Sequence, residues 1–122
     1  MIGVDLIKAS RMNRLMERFG EKALLRFLSH EEIKLVKNYK TASGFWAAKE
    51  ACSKALGVGI GAECNFHDIT IYKTEKGAPV LKLSSKLLNN FNITDTSLSI
   101  THDGDYAIAV VAIESSTTNK IK

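Results

Sequence analysis

The stretch with the most chemical content runs from Gly44 to Gly61, reading Gly-Phe-Trp-Ala-Ala-Lys-Glu-Ala-Cys-Ser-Lys-Ala-Leu-Gly-Val-Gly-Ile-Gly. At helical spacing Phe45, Ala48, Cys52, Ala55 and Leu56 form an apolar stripe, while Trp46, Lys49, Glu50, Ser53, Lys54 and Gly57 lie on or beside the other side. The small residues of the stripe allow close packing. Glu50 and Lys54 stand four apart and so neighbour each other. As a solvated surface ion pair they would contribute only about 0.3–0.5 kcal/mol. Gly57, Gly59 and Gly61 follow directly, and a glycine run of this kind leaves backbone N–H groups able to approach a phosphate. The same residues admit a plainer reading, in which Gly57 ends the helix and Gly59 and Gly61 form a flexible connection. Far along the chain, His102 closes the alternating run Leu98–His102 where a strand gives way to a turn, which places its ring near a sheet edge. A lone histidine there is more often structural than functional, and Asp103 and Asp105 read as turn formers.

The elements that must position these groups are legible in the periodicity. Met1 to Ile7 reads as a strand with Asp5 near its end, and Lys8 to Phe19 as a helix broken by Gly20. A second helix spans Glu21 to Leu28. Ser29-His30-Glu31-Glu32 is a capping box that starts a short helix through Lys37, which makes Ser29 structural. The site helix begins after Tyr39 and ends near Leu56, followed by the glycine loop. Asp68 to Thr74 alternates as a half-buried strand, Glu75 to Pro79 turns, and Val80 to Leu83 returns. Ser84 to Phe91 is a brief amphipathic helix. Ser97 to Thr101 and Tyr106 to Ile113 pair as strands through His102–Asp105, and the last eight residues form a polar tail. Without repeats or linkers, this order predicts one α+β domain over residues 1–122, with helices packed on an antiparallel sheet.

At 122 residues the chain can bury a core without disulfides or a structural metal. Cys52 and Cys64 lack metal-ligand spacing and read as reduced, structural thiols of a cytosolic, hence cytoplasmic, protein. The start, Met-Ile-Gly-Val-Asp, carries an acid at position 5 and resembles neither a signal peptide nor a membrane span. A net charge of +4 and a pI near 9.1 point to an acidic partner. Lys8, Arg11, Arg14 and Arg18 recur at helical spacing beside Met12, Leu15, Met16 and Phe19, forming a ridge suited to an acidic helix or simply a solvated cationic face. Aromatic residues do not interleave with basic ones in an RNP-like or aromatic-cage pattern, which argues against nucleic acid as the partner.

Three signatures then occur in one order: Gly3-Val-Asp5-Leu-Ile; Trp46-Ala-Ala-Lys49-Glu50-Ala-x-Ser53-Lys54-Ala-Leu-Gly57-x-Gly59; and Ser99-Ile-Thr-His102 followed by Tyr106-Ala. Together they resemble the holo-acyl-carrier-protein synthases, the short-chain class of 4′-phosphopantetheinyl transferases. The resemblance implies transfer of the 4′-phosphopantetheine arm of coenzyme A to a serine of apo-acyl carrier protein, releasing adenosine 3′,5′-bisphosphate, in fatty acid biosynthesis. It implies Mg²⁺ on Asp5 and Glu50, with Glu50 also the general base and Lys54 stabilising or protonating the leaving phosphate. Ser53, Lys54, Gly57, Gly59, Gly61 and His102 match positions that contact coenzyme A, and Lys76 to Pro79 line the nucleotide pocket. Arg11, Arg14 and Arg18 would meet the acidic helix of the carrier protein. The family assembles as homotrimers with active sites between subunits, so His102 of one chain would meet Asp5 and Glu50 of another. Two positions depart from the pattern: Phe45 stands where relatives often carry Arg, and Asp103 where they often carry Thr. Competing readings are a Mg²⁺-dependent diphosphate hydrolase using the same acids, and a basic nucleic-acid-binding module with no use for them.

Overall fold

The structure is a computed structural model describing residues 1–116; of the expected polar tail, residues 117–122 lie outside the described range. The chain runs β1 (Ile2–Lys8), α1 (Ala9–Phe19), α2 (Glu21–Leu25), α3 (His30–Ile33) and α4 (Tyr39–Ala55). A single 3₁₀ turn (Phe66–Asp68) leads to β2 (Ile69–Lys73), β3 (Pro79–Leu83), α5 (Ser85–Asn90), β4 (Ile93–Asp103) and β5 (Tyr106–Ser115). The α+β expectation holds, with one correction: the strands form two antiparallel sheets, β1-β5-β4 and β2-β3. Periodicity identifies strands, but only non-local pairing decides which sheet each joins. Helices α2 and α3 stop earlier than expected, and β4 begins four residues before Ser97.

The crossing of β1 on α4 sets the site's position. Along β1 the even residues Ile2, Val4 and Leu6 are exposed, while Gly3 is buried and Asp5 and Ile7 are half-buried against α4. An acid at a core-facing position of a strand is unusual and costs desolvation, which marks Asp5 out. Gly3 allows the approach, because a Cβ there would lie 1.9 Å from the carbonyl oxygen of Ala51 in α4. On the other side of the crossing Ala47, Ala48, Ala51 and Ala55 present only methyl groups. Phe27 and Phe45 fill the flanking core, each contributing about 1.5–3 kcal/mol relative to an exposed ring.

Side chains secure the helix starts, two of them locally and one from far along the sequence. Ser29 and Glu32 form the expected capping box on α3, and Asn38 Oδ1 accepts from the Lys40 and Thr41 N–H groups at the start of α4. Helix α1 has no side-chain cap of its own. Asp105, in the β4–β5 turn, supplies it, since its carboxylate accepts from Ser10 N at 3.0 Å and Ser10 Oγ at 2.6 Å. Asp105 is therefore a helix cap as well as a turn residue. Among the described residues no helix is long and apolar enough to cross a membrane.

Candidate active site

Where β1 crosses the C-terminal half of α4, Asp5 meets Lys54: Lys54 Nζ donates to Asp5 Oδ1 at 2.7 Å. This corrects the expected pairing on the helix surface. Lys54 pairs with an acid 49 positions away, because the strand brings a carboxylate nearer than the neighbouring turn does. Glu50 faces the same space, and its carboxylate receives no hydrogen bond among the described residues, leaving one ammonium between two acids. Burial above all, and then the Asp5 charge, hold the Glu50 carboxyl above its usual range, with Lys54 opposing. The hydrogen bond to Asp5 holds the Lys54 ammonium above its ordinary range, so it stays charged. Asp5 and Glu50 open onto a groove of about 290 Å³ that continues past Arg11, Met12, Leu15 and Trp46.

The glycine loop behaves differently from its composition. Gly57 N–H donates to Lys54 O, the Val58 and Gly59 N–H groups both donate to Ser53 O, and Gly61 N–H donates to Cys64 O. These amides satisfy the carbonyls that end α4 and the loop's own turn, so the expected free N–H cradle for phosphate is overturned and Gly57 is the helix stop. Gly57 and Gly59 adopt φ of 79° and 68°, a region that favours glycine. No atom lies within 4 Å of a Cβ built at Gly57, Gly59 or Gly61, so a ligand could approach their backbone closely. Ser53 is fully buried, and its hydroxyl donates to Glu50 O at 2.7 Å, tying it to the helix rather than to open space. Cys52 and Cys64 are buried free thiols, pushed up to about 12 and about 11 chiefly by burial, and are inert at neutral pH.

His102, Pro79 and Gly77 line a separate cavity of about 240 Å³ with Phe45, Lys73 and Ile100. Gly44 makes room for it, since a Cβ there would sit 3.0 Å from Ile100 and 3.4 Å from the His102 ring. His102 Nε2 lies 3.0 Å from Lys40 O. A carbonyl only accepts, so the proton is assigned to Nε2 and Nδ1 is left as an acceptor. Lys76, expected to line the nucleotide pocket, is exposed on the turn beside Gly77 and is not among the residues lining this cavity. The cavity shares no lining residue with the groove at Asp5 and Glu50. On α1, Arg11, Arg14 and Arg18 are exposed together with Leu15 and Phe19. Met12, on the apolar side of the ridge, is buried.

The model of the 4′-phosphopantetheinyl transferase superfamily matches residues 1–111. The chain belongs to this superfamily. The holo-[acyl-carrier-protein] synthase of Sulfurimonas denitrificans is 71% identical over 121 residues, covering 99% of this chain and 100% of the relative. That of Campylobacter curvus is 56% identical over 113 residues, covering 93% of this chain and 99% of the relative. Among solved structures, Helicobacter pylori holo-[acyl-carrier-protein] synthase in complex with coenzyme A superposes with a TM-score of 0.90 at 48% identity, covering 93% of this chain and 100% of that one.

Two features of this transferase escape sequence reasoning. Lys49, expected beside Glu50 on the polar side, is fully buried. Its ammonium donates to Phe27 O at 2.7 Å, Glu32 Oε1 at 2.9 Å and Phe66 O at 3.1 Å. Glu32 in turn accepts from Ser29 N and Ile71 N, so α3, α4 and β2 meet at one saturated ion pair. The second is Lys73, whose ammonium stands 5.9 Å from the centroid of the Phe45 ring in the His102 cavity. At Phe45 the helix offers an aromatic face, and β2 supplies a cation over it.

Proposed function

We propose that the chain is a holo-acyl-carrier-protein synthase of the cytoplasm: it transfers the 4′-phosphopantetheine arm of coenzyme A to a serine of apo-acyl carrier protein for fatty acid biosynthesis. The observation that carries this is that Asp5 and Glu50 line one groove while Lys54 bonds to Asp5 beside it. In the step, the serine oxygen forms a bond to the phosphorus bearing the pantetheine arm, and the phosphorus–oxygen bond to the nucleotide breaks. Glu50 takes the serine proton, a role its raised affinity for protons suits. Lys54 turns its ammonium to the departing phosphate and stabilises or protonates it, leaving adenosine 3′,5′-bisphosphate.

The acid pair fits Mg²⁺, since both donors are hard carboxylate oxygens placed close enough to raise the proton affinity of Glu50. Among the described residues no cluster of three or more His, Cys, Asp or Glu forms a cage, so the two carboxylates would hold the ion with oxygens that the substrate and solvent would supply. When bound, the ion neutralises charge on the diphosphate. The cavity of His102, Gly77 and Pro79, with the neighbouring Lys76, takes the nucleotide end of coenzyme A, while the backbone of Gly57, Gly59 and Gly61, open on its outer side, borders the diphosphate; Ser53, buried beneath, holds the end of α4.

A homotrimer with sites between subunits accounts for the separation of the two half-sites. What supports it is the outer face of the three-stranded sheet, where Ile2 is 75%, Leu6 58% and Val4 54% exposed. Val4 stands opposite Val110, itself exposed, which continues the apolar face onto β5. Such a face calls for a partner. The ridge of Arg11, Arg14 and Arg18 with Leu15 and Phe19 receives the acidic helix of the carrier protein, where charge steers encounter more than it adds affinity. The deciding experiment incubates the pure protein with coenzyme A, Mg²⁺ and apo-carrier protein, then weighs the carrier. A carrier heavier by one phosphopantetheine is the expected result; coenzyme A cleaved with the carrier unchanged would return the chain to the diphosphate hydrolases.

A further inference from the structure

Lys54 stands on both sides of the proposed chemistry, and its position raises a question of order. Its ammonium is the only hydrogen-bond partner of the Asp5 carboxylate among the described residues, at 2.7 Å from Oδ1. Its side chain is 51% exposed, so it can swing on its four-carbon stem without disturbing the core. The Asp5 side chain is 13% exposed and fixed on β1 by the Gly3 crossing, so the carboxylate cannot follow. Glu50 has no hydrogen-bonding donor of its own. One monovalent cation therefore serves an acid pair that would take a divalent one.

We propose that Lys54 and a divalent cation compete for Asp5, and that the diphosphate of coenzyme A resolves the competition by accepting the ammonium, so that cation and coenzyme A bind cooperatively. This rests on the reading of Asp5 and Glu50 as metal carboxylates. Without a diphosphate, an entering cation must displace Lys54 from its only strong acceptor and then sit beside a like charge. With a diphosphate present, the displaced ammonium gains a new anion, and the same rearrangement is favourable. By linkage, coenzyme A raises cation affinity by the factor by which the cation raises that of coenzyme A. Lys54 thereby holds back a cation that arrives alone and favours one that arrives with substrate.

The test is Mn²⁺ binding, followed by the electron paramagnetic resonance signal of free Mn²⁺ and corrected for its complex with coenzyme A in protein-free solution. Removing one exposed pair predicts that Lys54→Met binds Mn²⁺ about two- to fivefold more tightly than wild type in the absence of coenzyme A. Coenzyme A should strengthen Mn²⁺ binding in wild type, less so in Lys54→Met, and adenosine 3′,5′-bisphosphate, which lacks the diphosphate, should not substitute. Lys54→Arg retains wild-type behaviour. Equal or weaker Mn²⁺ binding by Lys54→Met overturns the competition, because Lys54 would then share Asp5 with the ion. An equal gain in Arg11→Met, which removes a charge from the same groove without touching Asp5, overturns it too, reducing the effect to general charge. If no protein binds Mn²⁺ with or without coenzyme A, the metal reading itself falls. Carrier modification by wild type alongside unchanged Mn²⁺ affinity in Lys54→Met rejects the competition alone.

Discussion

Lys49 and Lys54 lie on one helix, each with a carboxylate from a distant element, yet their surroundings differ in kind. Around Lys49 every polar atom is answered: three acceptors surround the ammonium, and Glu32 is filled by Ser29, Lys49 and Ile71. Around Lys54 the accounts do not balance, since Asp5 and Glu50 share one cation and Glu50 has no donor. A saturated charge cluster has no capacity left for a ligand. An unsaturated one, open to a groove and lined by like charges, is held in that state only because the fold elsewhere enforces it. The presence of an ion pair therefore says little about function, and its completeness says much.

The widest gap between the two clusters should be in activity. Glu50→Gln and Asp5→Asn each keep side-chain volume and remove a charge from the open cluster. Each should lower the rate of carrier modification by about 10²–10⁴-fold, the range for losing a positioned general base, with the circular dichroism spectrum unchanged. Wild-type-like rates in both variants would remove the distinction. The sealed cluster should respond in stability instead. Lys49→Met leaves the Glu32 carboxylate buried without its counter-charge, which costs about 3–5 kcal/mol in urea unfolding. The double variant Glu32→Gln, Lys49→Met should recover part of that loss; no recovery would mean that packing, not charge, seals the cluster.

How much of this was legible beforehand depended on the range of the interaction. The meeting of Asp5 with Glu50 is implied by the family resemblance alone, whereas the helices at 9–19 and 39–55 and the Ser29–Glu32 capping box follow from periodicity and caps. Three features do not. Lys54 pairing with Asp5 rather than Glu50, Lys49 sealed against Glu32, and Asp105 capping α1 all join residues far apart in sequence. No local pattern separates a lysine that reaches water from one that is enclosed. The glycine loop misled for a related reason: composition announces free amides, but the carbonyls ending α4 claim them first. Gly3 is the instructive intermediate case, because its need for a missing Cβ becomes visible only once α4 lies across it.

If the open cluster is strained for function, relieving it should stabilise the fold. Burial first and Asp5 second raise the Glu50 carboxyl above its ordinary 4.5, against the pull of Lys54. The folded chain therefore holds that proton more tightly than the unfolded chain does. The resulting stability is fully present below about pH 4.5 and is lost as pH rises through the folded value, so ionised Glu50 is a liability at neutral pH. Glu50→Gln, inactive, should accordingly melt above wild type at pH 7 in the presence of a chelator, with the gap closing as pH falls below 4.5. A gap independent of pH would assign the effect to packing.

Lys73 offers the finest test of the contrast, because it belongs to neither cluster and must fall on one side. It is exposed, its ammonium sits 5.9 Å from the Phe45 ring, and it faces the cavity of His102 and Pro79, so its charge is unspent in the way that the Lys54 cluster is unspent. Lys73→Met should therefore leave the melting temperature unchanged while raising KM for coenzyme A about two- to fivefold, the scale of one exposed cation near an aromatic face, with kcat and the KM for carrier protein unaffected. If the melting temperature falls and KM does not, Lys73 is a packing residue like Lys49, and a cation poised over an open cavity is no guide to where substrate charge is received. If KM rises alone, the rule read from α4 extends to a second sheet and a second cavity: an unanswered charge beside open space marks the place where a ligand completes it.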